Sequence, residues 1–143
     1  MDVFEQIKKD HKKIRVVLKE IDYGYENLSE IVPKLLNQLK YEISENIDLE
    51  EKVFYSFLKN SFEKHYFMRE SLEDHQLIIN LLNNVILSDF NRDNFNVLKD
   101  VVLKHFQKEY EIFSVVRCLL NKSQIDQLSS LMKIEKLKKY QKI

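Results

Sequence analysis

The sequence predicts an all-α protein: an antiparallel up-down-up-down four-helix bundle with a short C-terminal fifth helix. Three observations carry this. The 143 residues include one glycine and one proline, so breakers and tight turns are few. The chain is 44% hydrophobic and 32% charged, with many Leu, Ile, Lys and Glu, which suits long amphipathic helices. Apolar residues recur at alternating steps of three and four along four stretches, the period of one helix face. The length fits a single domain over residues 1–143, with a four-helix core at about 2–120 and a last helix at about 123–139.

The first helix is expected over about 2–22, with Phe4, Ile7, His11, Ile14, Leu18 and Ile21 inward. Gly24 follows closely and reads as a left-handed C-terminal cap, with a loop over 23–30. Pro33 fits only a first helical turn, so the second helix should start near it and run to about 59. Its stripe is Leu36, Leu39, Ile43, Asn46, Glu50, Val53 and Phe57. Asn60 to Glu63 has the Asx-x-x-Glu pattern of a helix start. The third helix, to about 86, presents Met68, Leu72, His75, Ile79, Leu82 and Ile86. The polar run Ser88 to Asn94 makes a loop. The fourth helix, about 93–120, carries Leu98, Val101, Val102, His105, Glu109, Ile112 and Val116. The last helix takes Ser123 as N-cap and presents Ile125, Leu128 and Met132. Its Lys-rich end suits a solvated helix C-terminus.

Several classes are excluded. Lys+Arg and Asp+Glu both number 23, so no net basic field points to nucleic acid. Cys118 is the sole cysteine, which rules out a disulfide framework or a Cys-based zinc site within one chain. No apolar run is long enough for a membrane span, and the charged N-terminal stretch does not read as a secretory signal. A cytoplasmic protein acting neither on nucleic acid nor on membrane is expected.

Each of the four helices has polar residues halfway along its apolar face. Together they are His11, Asn46, Glu50, His75, His105 and Glu109, including three of the four histidines. Burying such groups is costly unless they are satisfied. Imidazole and carboxylate are ligand types suited to iron, manganese and zinc. His105 and Glu109, four apart on one helix, lie one above the other and can bracket a metal. The candidate metal residues are therefore His11, Glu50, His75, His105 and Glu109. A metal-free His–Glu hydrogen-bond network is the competing account. His65 falls off the inward register and reads as a surface or loop contact.

With these motifs in order, the chain resembles a hemerythrin-like, or HHE cation-binding, domain. Lys9-Asp10-His11, Glu50 to Tyr55, Glu70 to His75, and His105 to Glu109 followed by Ile112-Phe113 carry the resemblance, which covers about residues 2–120. It implies two irons bridged by Glu50 and Glu109, one held by His75 and His105 and the other by His11 and a second-helix His. This chain has Asn46 in that last place. The resemblance thus implies an uneven site, with one well-held metal and one weak or absent. Glu42 and Glu70 are reserve carboxylates or simply solvated, and Tyr55 and Tyr110 near the layer are candidate ligands or redox partners, with packing the expected role of each.

The expected function is a non-haem iron-binding protein with one or two ions, zinc or manganese being substitutes. Its ligand would be dioxygen, nitric oxide or peroxide, bound or sensed, or iron itself would be sensed. A di-iron peroxidase or oxidase is an alternative, although the chain lacks the Glu-x-x-His motif of ferritin-like oxidases. A metal-free helical interaction module with a degenerate site is the other.

Overall fold

The computed structural model describes residues 1–61 and 66–141. These are helical throughout apart from short connections, with no β-strand among them. The order is α1 (Val3–Glu26), α2 (Val32–Leu49), a π-helical turn (Glu50–Tyr55), α3 (Ser56–Ser61), α4 (Tyr66–Leu87), α5 (Arg92–Leu119) and α6 (Lys122–Gln141). Among the described residues, no helix is long and apolar enough to cross a membrane. His65 and Glu63 lie outside the described residues.

Local chemistry sets the helix ends. Asp2 caps α1 in a capping box with Glu5. Gly24 does not end the helix, as the sequence had suggested. It lies inside the last turn, buried, and a Cβ there would meet Val32 Cγ2 at 2.8 Å. Close approach of α1 to α2 is its physical role. The left-handed residue is Leu28, at φ 50°. Ser29 N–H donates to the Gly24 carbonyl at 2.9 Å and Leu28 N–H to that of Tyr25, a Schellman closure. Pro33 lies in the first turn of α2, as expected. The N-cap of α6 is Asn121 rather than Ser123: its side chain accepts from Gln124 N–H while Gln124 accepts from Asn121 N–H.

The π turn corrects the second stripe. Its i→i+5 pattern inserts one residue, so the inward face after Glu50 continues through Phe54 and Leu58 and leaves Phe57 half-buried. On α4 the stripe is also rotated. Ser71, Ile78 and Val85 are buried, while Leu72 is exposed and Ile79 and Ile86 are half-buried. On α5, Val101 and Ile112 are half-buried, and Phe106 and Phe113 fill the interior.

α1 packs along α2, and α4 along α5; α2 meets α4, and α1 meets α5. α6 lies against α1, α2 and the π turn. Two apolar cores result among the described residues. One joins Ile14, Ile21, Leu36, Ile43, Leu82, Leu98 and their neighbours. The other joins Phe4, Ile7, Phe54, Leu58, Met68, Phe113 and Leu128. On each of the four long stretches the polar residues fall between members of the two cores. His11 lies between Ile7 and Ile14, His75 between Met68 and Ile78, and His105 and Glu109 between Val102 and Phe113.

Candidate metal centre

The π turn gives the centre its first carboxylate. Glu50 opens the turn and is fully buried. Tyr55, five residues on, would point away in a regular helix; the wider turn brings it to the same side. Its hydroxyl donates to Glu109 Oε2 at 2.7 Å. Glu51, the next residue round the turn, flanks α4 instead and accepts from His75 Nδ1 at 2.9 Å.

α4 and α5 supply the imidazoles. His75 and His105 meet edge to face, with ring centres 4.7 Å apart. His105 Nδ1–H donates to Asp74 Oδ2 at 3.0 Å. With both Nδ1 atoms donating outward, each ring turns the Nε2 lone pair inward. His105 Nε2 lies 2.9 Å from Glu109 Oε1, and His75 Nε2 lies 3.8 Å from Glu50 Oε1. Glu50, His75, His105 and Glu109, all buried, each offer one ligand atom, and these atoms lie within 4.8 Å of one another.

His11 stands on the other side of Glu50. Its Nε2–H donates to Glu50 Oε2 at 3.0 Å and lies 3.4 Å from Glu109 Oε1. Its Nδ1 accepts from the Tyr110 hydroxyl at 3.3 Å, and Arg15 in turn donates to that hydroxyl oxygen. The ring stacks on Phe106 at 3.7 Å. Four of the five sequence-derived candidates therefore converge on one point, and the fifth hydrogen-bonds to one of them. Asn46 is buried one turn before Glu50. The reserve carboxylates take no part: Glu70 pairs with Lys108 at 2.8 Å, and Glu42 borders an outer cleft.

Burial governs the electrostatics of the centre. Burial pushes the Glu50 carboxyl well above its usual pKa, and the neighbouring Glu109 adds to the rise. Burial also opposes charge on Glu109, but the neighbouring Glu50, His105 and His11 outweigh it and hold its carboxyl below the usual carboxylate range. Burial lowers the His11 pKa to about 4 despite the nearby Glu109. His105 is likewise disfavoured as a cation by burial, yet Glu109 and Asp74 outweigh this and raise it. Burial and the second carboxylate thus both favour the neutral form of Glu50.

Four buried ligand atoms still have no partner: Glu50 Oε1, His75 Nε2, His105 Nε2 and Glu109 Oε1. Each such atom costs about 1–3 kcal/mol unless satisfied. A divalent cation would satisfy all four at once, and the mixed nitrogen and oxygen set suits iron, manganese or zinc. The residues fit a metal.

No family model matches the chain, and neither a curated protein nor a solved structure is detectably similar to it. The reading of the centre rests on its own geometry.

Glu51 and Asp74 were not singled out from the sequence. Each lies beside a candidate ligand, Glu51 after Glu50 and Asp74 before His75. An acid next to an inward ligand was the available signal. Tyr55 and Tyr110, read as packing residues, also hydrogen-bond to the layer.

Proposed function

We propose that the protein is a hemerythrin-like, antiparallel four-helix bundle that holds non-haem iron in its core and binds or senses a small molecule such as dioxygen, nitric oxide or peroxide. The observation that carries metal binding is the set of four unpartnered, buried, converging ligand atoms. The alternation of the two cores along the chain supports the antiparallel arrangement. α1 begins in the Phe4 core and ends in the Ile14 core, α2 runs the other way, and α4 and α5 repeat the pattern.

In this reading His75, His105, Glu50 and Glu109 hold one ion. Glu51 and Asp74 keep the two imidazoles in the required tautomer, and Tyr55 steadies Glu109. Glu50 turns Oε1 toward His75 and Oε2 toward His11, which suits a carboxylate shared between two ions. His11 and the Asn46 amide flank the second position. An amide is a weaker, neutral donor than imidazole, so the second ion would be held loosely or not at all. Iron with an open coordination position supplies affinity for small diatomic or peroxide ligands. The apolar cores on both sides of the layer keep bulk water from it.

The test is metal analysis of protein purified without chelator, paired with His105→Ala. Iron retained by the parent and lost from the variant is expected, with near-ultraviolet and visible absorption from a concentrated aerobic sample. Equal metal content in the two proteins would sink the site assignment. A colourless, metal-free and stable parent would favour a helical interaction module instead. Two equally occupied irons would refute the uneven centre.

A further inference from the structure

A polar approach from solvent leads to the buried centre, and Asn46 stands across it. A cleft of about 270 Å³ is bordered by residues of α1, α2 and α6, among them Asp10, Glu42, Glu45, Lys136 and Lys139. Asn46 lines this cleft. It also lines a second cavity, of about 10 Å³, which touches His75 and His105 and is otherwise walled by apolar side chains such as Ile43, Ile78 and Phe106. That volume is close to the room one water needs. Asn46 is thus the residue common to the outer cleft and the inner cavity. It is 5% exposed, and its Nδ2 has no hydrogen-bond partner. An unpaired buried amide is a cost that an apolar side chain of the same size would avoid.

We infer that Asn46 is a gate through which divalent metal ions enter and leave the centre, with α6 as a bar across the outer cleft. The inference rests on the metal-binding reading above. A hydrated cation cannot cross the two apolar cores, because stripping its water without replacement is prohibitive. It needs polar groups at each stage, and the cleft offers them in sequence. The lip carries three carboxylates, Asp10, Glu42 and Glu45, balanced by Lys13, Lys136 and Lys139, so it offers carboxylate oxygens to a cation without a net negative field. The Asn46 amide offers polar atoms at the narrow point, and Glu50 follows one helical turn further in.

The lip is closed by lysines of α6. Lys136 Nζ lies 2.8 Å from Asp10, and Lys139 Nζ lies 2.8 Å from Glu45 and 2.6 Å from Asp48. An arriving divalent ion competes with these ammonium groups for the same carboxylates. Ion pairs this close to solvent are weak enough to exchange readily.

Asn46 flanks only the second position, so at one Co(II) per chain a gate there changes rates and leaves alone the affinity of the first position, formed by His75, His105, Glu50 and Glu109. The experiment follows Co(II) uptake by visible absorption in stopped flow, and Co(II) release into excess chelator. Asn46→Leu, similar in size and apolar, is expected to slow uptake and release by the same factor, about tenfold for a barrier change near 1.4 kcal/mol. Lys136→Ala combined with Lys139→Ala is expected to speed both. The lysine pair is remote from the ligands and tests the route even where Asn46→Leu folds poorly. Unchanged rates in a folded Asn46→Leu or in the lysine variant would overturn the gate. So would an altered affinity at one Co(II) per chain without matched changes in the two rates, which would make Asn46 a ligand of the first position. If the parent takes up no Co(II), the metal reading itself fails, and the gate with it.

Discussion

Replacing Asp74 should loosen the metal without removing a ligand. Asp74 Oδ2 accepts from His105 Nδ1–H at 3.0 Å, which fixes the tautomer and aims Nε2 at the centre. A hydrogen bond to a charged group is worth about 1.5–3 kcal/mol. The Asp74 side chain is 18% exposed, so solvent screening puts the loss near the lower end, about 1.5 kcal/mol. That corresponds to roughly tenfold weaker binding for Asp74→Ala, within the range for groups that orient metal ligands. Asp74→Asn keeps an acceptor oxygen and loses only the charge, so its loss should be smaller. Glu70→Ala is the control. It breaks the 2.8 Å pair with Lys108, which also reaches toward Asp74, but it does not touch the imidazole. The assay is competition for Zn(II) against a chromophoric chelator. Binding by Asp74→Ala within about twofold of the parent would refute the reasoning, since orientation by this bond carries the effect.

Three further outcomes are open to measurement. Leu28→Gly should raise stability by about 0.5–1 kcal/mol, because Leu28 is exposed at a left-handed φ of 50°; the urea midpoint should rise with its slope unchanged. Gly24→Ala should destabilise by about 1 kcal/mol, since the clash with Val32 at 2.8 Å outweighs the better helix propensity of alanine; a higher midpoint would show that α2 yields at no cost. Metal uptake near neutral pH should release protons, because Glu50 and His105 both have raised pKa values and bind metal only when deprotonated. Titration calorimetry in two buffers of different ionisation enthalpy should give different heats, and equal heats would contradict this.

Much of the molecule was legible in the sequence because its signals are local. A stripe such as Phe4, Ile7, His11, Ile14, Leu18 and Ile21 needs only the helical period, and all six are buried. Polar residues interrupting such stripes mark a layer for the same reason, and four of the five candidates converge. The sequence by itself therefore determined the helices, most of their inward faces and the ligand types available. It misplaced Gly24 because glycine suits a helix end and a close crossing equally well, and only the position of Val32 distinguishes them.

The tertiary structure decided the rest. The π turn shifts the register after Glu50 and turns Tyr55 inward, which no repeat of three and four encodes. The bonds that orient the imidazoles join distant residues: Glu51 to His75 across 24 positions, Asp74 to His105 across 31, and His11 to Tyr110 across 99. The period of a helix says which way a side chain faces. It does not say which neighbour waits there, because that depends on how helices pack, and packing is settled by the whole core at once.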